Sequence, residues 1–230
     1  MALLSLPAAA PDTYAKISHS YASQNLAKYV SPDTAPTVLA GYKAQQAILS
    51  REMRGNLTFL NYIIPPAPAG QPINFHITSR GTVQINPTSP DSPEPIIDYR
   101  ALSNPTDMDL MIAYIQFLRR FFLKGPLSRY KTTEVSPGAN VTSNEDLARY
   151  VRENYIPQGW HPVGTAAKMR RELGGVVDDE LRVYGVKKLR VADASIMPML
   201  IGGTTQLTAY AIGEKAADLI KDSLKGHGGH

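Results

Sequence analysis

The chain has 230 residues, 43% of them hydrophobic and 19% charged, with 24 basic against 20 acidic side chains for a net charge of +4. That is the composition of a folded protein with chain enough for one large domain or two small ones. The absence of cysteine excludes disulfides, thiolate metal sites and a cysteine nucleophile; the scattered basic residues exclude a nucleic-acid stripe, and no apolar run approaches the roughly 18 residues that cross a bilayer.

The opening residues, Met1 to Pro7, have no basic region and too short an apolar core for a signal peptide. Two sequons, Asn56-Leu57-Thr58 and Asn140-Val141-Thr142, are of a kind that arises often by chance, and the compartment stays unknown. Residues 12–30 predict a short helix with Asp12 as its cap and Ile17, Tyr21 and Leu26 as apolar positions, broken at Ser31-Pro32. A second helix starts at Thr34, with Pro36 in its first turn and Leu39, Tyr42, Leu49 and Met53 along one face, and ends at Gly55-Asn56. From Leu57 the character changes. Residues 57–64 and 73–85 are β-rich and separated by a proline and glycine loop at 65–70, and Ser79-Arg80-Gly81 interrupts the second run as a turn or bulge. A proline-rich loop at 87–95 leads to a further strand at 96–99, and loops this short predict antiparallel pairing. Thr106, with Asp109 three residues on, starts an amphipathic helix carrying Met108, Ile112, Ile115 and Phe122 and closed by Gly125-Pro126. Residues 127–142 read as loop, and Ser143 to Asp146 open a short helix that ends near Asn154. The Gly/His tail at 226–230 reads as a chain end, and no metal is expected.

The chain after residue 158 carries the chemistry. Gly159, Trp160, His161, Pro162, Val163, Gly164 and Thr165 hold the only tryptophan and one of five histidines, with glycine and proline placed to make the backbone irregular. A histidine fixed on such a turn suits a general base, since imidazoles as a class titrate near neutral pH. A lone loop histidine is more often merely packed, so the neighbourhood decides. Two turn-punctuated extended segments, 174–178 and 182–186, follow. Residues 189–193 then predict a short apolar strand ending in Asp193, where open α/β sheets place their ligands, although an acid there also serves as a plain turn residue. Gly202-Gly203 permits close backbone approach, and Thr204 or Thr205 caps a helix carrying Leu207, Tyr210, Ala211, Ala217 and Ile220. The N–H groups and dipole at that helix start suit an oxyanion or an electron-rich ring.

The run from Trp160 to Met169, then Gly174 to Asp178, Leu181 to Val186, and Leu189 to Pro198 resembles the C-terminal signature of the glucose–methanol–choline (GMC) flavoprotein oxidoreductases. Ala211 to Ile220 resembles that family's last helix, and Ser79-Arg80-Gly81-Thr82-Val83 with Asp98-Tyr99 resembles its substrate domain. Several separated motifs occur in the family's order over nearly the whole chain.

The resemblance implies an α+β fold: an antiparallel-sheet substrate domain with flanking helices at 1–158, then at 159–230 a catalytic segment. That segment would hold the C-terminal strand and helix of an incomplete α/β FAD-binding domain. It implies that His161 accepts the hydroxyl proton of an alcohol or sugar while hydride passes to FAD. Asp193 and Ala194 would lie near the flavin's ribityl and phosphate groups, and Thr204 and Thr205 along its ring. Two departures stand out. The Gly-x-Gly-x-x-Gly fingerprint that holds the pyrophosphate is absent from this sequence, so a flavin-domain segment, missing or separate, is the expected partner. Thr204 stands where the family usually places a histidine or asparagine, and a hydroxyl cannot serve as a second imidazole. A flavin-fold cyclase or lyase without redox chemistry, and a non-catalytic truncated product, are the competing readings.

Overall fold

The computed structural model of the protein describes residues 2–63, 72–91, 93–156 and 159–225. The loop expected at 65–70 and the tail at 226–230 lie outside the described residues. In chain order the elements are β1 (Ala2–Ser5), α1 (Leu6–Ala9), α2 (Tyr14–Ala22), α3 (Pro36–Glu52), β2 (Thr58–Tyr62), β3 (Ile73–Asn74), β4 (Thr82–Gln84), β5 (Ile96–Asp98), α4 (Pro105–Arg119), α5 (Asn144–Asn154) and α6 (Gln206–Lys225). The class is α+β, and every pair of named strands is antiparallel. No helix of the described residues is long and apolar enough to cross a membrane. The chain divides into two compact units, one of Met1–Val30, Gln46–Gly81 and Tyr99–Pro157, the other of Ser31–Gln45, Thr82–Asp98 and Gln158–His230.

The first unit is built on a three-stranded sheet in the order β1-β2-β3. Its central strand buries both faces, with Phe59, Leu60, Asn61 and Tyr62 all enclosed. The opening residues, expected only to lack a signal peptide, pair along β2 from Ala2 opposite Tyr62 to Ser5 opposite Thr58. Helix α4 buries Met108, Leu110, Met111, Tyr114 and Ile115. Its cap lies two residues ahead of the expected Thr106: the Asn104 side chain accepts from the Thr106 N–H at 3.0 Å, with Pro105 in the first turn. The helix expected over 12–30 is shorter. It ends at Ala22, and a separate 3-10 turn over Leu26–Tyr29 starts where Asn25 Oδ1 accepts from the Ala27 N–H. Ile17, Tyr21 and Leu26 are buried as their spacing requires. Ser143 caps α5 by accepting from the Asp146 N–H at 3.0 Å, as expected.

The antiparallel sheet expected across 57–100 is two sheets: past Phe75, backbone donors go to side chains, the His76 N–H to Asn74 Oδ1 at 3.3 Å and those of Thr78 and Ser79 to buried Asp107. Its Oδ1 accepts from the Thr78 N–H at 2.7 Å and the Thr78 hydroxyl at 2.8 Å, and its Oδ2 accepts from the Ser79 N–H at 2.8 Å. Ser79 Oγ in turn accepts from the Asn104 N–H at 2.9 Å. Backbone N–H groups committed to side chains are lost to a ladder, and β3 stops at Asn74.

In the second unit β4 and β5 form a ribbon, Thr82 opposite Asp98 and Gln84 opposite Ile96. The unit's core is Val177, Leu181, Ile196 and Ala216, with Val176, Val183, Val191, Ile212 and Leu219 packed around it. The strand expected at 189–193 is reduced to an extended segment. It meets 181–183 through the Arg182–Arg190 bridge, with Val183 N–H donating to Leu189 O at 3.0 Å and Val191 N–H to Leu181 O at 3.1 Å. Left-handed Gly185 and Lys188 turn the chain between them. Pairing stops there because the chain enters a 3-10 turn over Ala194–Ile196.

Candidate active site: the His161 turn and the Asp193 turn

Trp160 adopts a left-handed backbone (φ 57°) and its side chain is largely exposed. This kink presents His161 beside it, half-buried, with its Nδ1 hydrogen-bonded to the carbonyl of Gly159. A carbonyl only accepts, so Nδ1 is the donor of that bond and Nε2 is the ring nitrogen left to face other groups. The same contact fixes the plane of the ring. One ring nitrogen is thus tied to the backbone and the other is not part of that bond.

The turn rests on the 195–198 backbone. Gly164 is left-handed (φ 89°), and a Cβ there would lie 3.3 Å from the Met197 carbonyl oxygen and 3.9 Å from that of Pro198. The positive φ strongly favours glycine, and the 3.3 Å approach leaves a Cβ little room. Beyond it the Ala166 N–H donates to Ser195 O at 3.0 Å and the Lys168 N–H to Ile196 O at 2.8 Å. The chain then doubles back so tightly that a Cβ on Gly175 would stand 1.8 Å from Met169 O.

Asp193 caps the 3-10 turn against which this segment lies, its Oδ1 accepting from the Ser195 N–H at 2.7 Å. Its side chain is exposed, and Ala194 opens the turn behind it. Thr204 and Thr205 precede α6, whose first turn closes with the Ala209 N–H on Thr205 O at 2.9 Å. Thr204 is exposed, and a Cβ on Gly203 would meet no atom within 4 Å. Two backbone bonds, from Ala166 and Lys168, thus join the segment that follows His161 to the turn that Asp193 caps and Ala194 opens. Among the described residues no side-chain hydrogen bond links Thr204 or Thr205 to His161 or Asp193; chain continuity from Pro198 sets their place.

Sequence reasoning overlooked Gln45. Its Nε2 donates to the Pro198 carbonyl at 2.9 Å and contacts Met169 Sδ at 3.8 Å, and the residue is only 8% exposed. The signal was present: Gln45 falls between Tyr42 and Leu49 on the apolar stripe of α3, a buried register where an amide needs partners.

Residues 78–213 match the family model described as GMC oxidoreductase. A dehydrogenase of Emericella nidulans, xptC, is 39% identical over 215 residues, which are 93% of this chain and 34% of that protein. Among solved structures, a fungal aryl-alcohol oxidase superposes with a TM-score of 0.87 at 36% identity, and an FAD-dependent oxidoreductase from Chaetomium thermophilum with 0.86 at 33%. Each superposition covers 97% of this chain and 38% of the other, so the chain spans well under half the length of these relatives. A match across more than half of the chain, on the segments that build the His161 and Asp193 turns, makes the protein a member of the GMC oxidoreductase family.

Proposed function

We propose that this chain supplies the substrate-binding and catalytic C-terminal part of an FAD-dependent oxidoreductase acting on the CH–OH group of an alcohol or sugar. Residues 1–158 serve substrate binding, and 159–230 serve catalysis and contact with the flavin. The observation that supports the reading is the His161 geometry, with Nδ1 tied to the Gly159 carbonyl and Nε2 outside that bond. In that role Nε2 takes the hydroxyl proton as the carbonyl forms. Thr204, exposed at the start of α6, donates a hydrogen bond to the substrate oxygen, a weaker service than a second imidazole would give. FAD, when bound, supplies the acceptor for the hydride that leaves carbon.

The donors present suit one part of that cofactor. The hydroxyls of Thr204 and Thr205 and the opening amides of a 20-residue helix face an electron-rich ring edge favourably. Open space beside Gly203 leaves room for a ring. The Asp193 carboxylate suits ribityl hydroxyls, which can donate to it. The pyrophosphate is different: this sequence offers no Gly-x-Gly-x-x-Gly loop for it, and a separate flavin-domain segment would hold it. Residues 189–193 and α6 are on this reading the C-terminal pieces of that α/β domain. The apolar residues they expose, Leu189, Leu207, Tyr210 and Leu224, are what such a segment would cover.

The test joins the chain to the flavin-binding portion of a relative and follows flavin absorbance anaerobically with a panel of primary alcohols and sugars. Bleaching by at least one of them is expected. Flavin retained yet reduced by none of the panel would favour the non-redox reading instead.

A further inference from the structure

The two loops of the site are not held at their spacing by their own residues alone. The His161 turn leans on the Met197 and Pro198 carbonyls through Gly164, and the segment after it is bonded as far as Lys168 to Ile196. The ladder ends there. Met169 on one side and Pro198 on the other are the next residues out, and the Gln45 amide meets both, at 3.8 Å and 2.9 Å. Pro198 has no N–H with which to extend the ladder, and its carbonyl needs a donor when enclosed. Met169 is itself pinned from other directions. Its carbonyl accepts from the Tyr184 hydroxyl at 3.2 Å, and its Cε lies 3.2 Å from where a Cβ on Gly41 would stand, one turn before Gln45 on α3. Helix α3 therefore presents a glycine against which the Leu173 carbonyl packs, 2.1 Å from where a Cβ would stand, with the Met169 side chain beside it, and, four residues on, an amide that grips the Pro198 carbonyl.

We infer that Gln45 is a positioning residue: its side-chain amide locks the loop that follows His161 to the loop that leads to Thr204, and so sets the spacing between base and hydroxyl. The role assigned to that spacing rests on the reading of His161 as the base, while the lock itself does not. Gln45 reaches neither substrate nor flavin in this account and acts through Pro198 and Gly164.

The experiment is hydrogen–deuterium exchange on the 230-residue chain and on Gln45→Met and Gln45→Glu, resolved to the amides of Ala166, Lys168, Ile196 and Met197. Methionine keeps the volume and removes the donor; a single lost hydrogen bond should quicken exchange roughly two- to tenfold. The expected result is that all four amides speed up together, while the Ala209 amide in α6 and the Thr78 amide in the first unit do not. A merely structural loss would move those controls as well. Glutamate adds a readout that packing alone does not have. Ionised, it only accepts and cannot bond the Pro198 carbonyl; protonated, its O–H donates again. Protection in Gln45→Glu, measured against wild type at each pH, should be low at pH 7 and recover on acidification. Should Gln45→Met fail to fold, that recovery carries the test. Unchanged exchange in Gln45→Met, quickening in one loop only, or a Gln45→Glu pattern independent of pH would overturn the inference. None of these outcomes bears on the base itself: undiminished flavin reduction in His161→Ala would sink the base reading and leave the exchange result standing.

Discussion

Asp107 concentrates three buried hydrogen bonds on one carboxylate. Asp107→Ala would strand the N–H groups of Thr78 and Ser79 and the Thr78 hydroxyl, at a cost of about 3 kcal/mol or more. A urea midpoint should register that loss, and Asp107→Asn, which keeps one acceptor oxygen, should lose less. Equal midpoints for wild type and Asp107→Ala would mean that water replaces the carboxylate at no cost. Residue-level legibility was uneven for a physical reason. His161 and Gly164 stood out because glycine, proline and histidine restrict what a backbone can do. Asp107 did not, because an acid in the first turn of a helix is ordinary and only the fold brings residues 78 and 79 to it. The neighbouring Asp109, which sequence reasoning favoured, is exposed. Gln45 was hidden the same way, as a polar residue whose burial depends on chain distant in sequence.

Helix α6 shows what an element can disclose. One face packs, with Ile212, Ala216 and Leu219 in or against the core of the second unit. The other exposes Leu207 at 79%, Tyr210 at 65% and Leu224 at 68%. Replacing those three with glutamine should reduce self-association in light scattering and leave the thermal midpoint nearly unchanged, since they touch little in this chain. Leu219→Ala, on the packed face, should cost about 2 kcal/mol. If both changes destabilised alike, the outer stripe would have a partner within the chain. Helices were the legible elements: α3, α5 and α6 announced themselves by period and by starting residues. The strands were less so. β1 is four residues whose partner strand starts only at Thr58, and nothing local marks such a pairing. At 189–193 the apolar pattern was right for burial and wrong for a strand, because Asp193 captures the Ser195 N–H and turns the chain.

At the scale of the whole molecule, burial raises the phenols of Tyr62, Tyr114 and Tyr155 above their ordinary range. At Tyr114 the charge of Asp107 adds to the effect, and at Tyr155 the neighbouring Tyr150 and Tyr62 do. A pKa raised in the folded state means that the unfolded chain loses its protons first. The contribution is whole below the unfolded value near 10 and declines above it, by about 1.4 kcal/mol per pH unit for a phenol as enclosed as Tyr114. Urea midpoints should thus hold to about pH 10 and fall beyond it, and Tyr114→Phe should flatten the fall; a level profile would contradict the assignment. Family membership was also legible at this scale, since several motifs keep one order along the chain. Division of the expected sheet was not, because the backbone donors after β3 go to side chains, the buried Asp107 carboxylate among them. The central claim, that His161 is the base of a flavin-dependent oxidation, is tested most directly by stopped-flow flavin reduction. The enzyme is the chain completed with its flavin-binding portion, compared with His161→Ala and Thr204→Ala. The account predicts flavin retained in both variants, a slowing of about 10²–10⁴-fold for His161→Ala, and no more than roughly tenfold for Thr204→Ala. Equal and small effects of the two changes would contradict it.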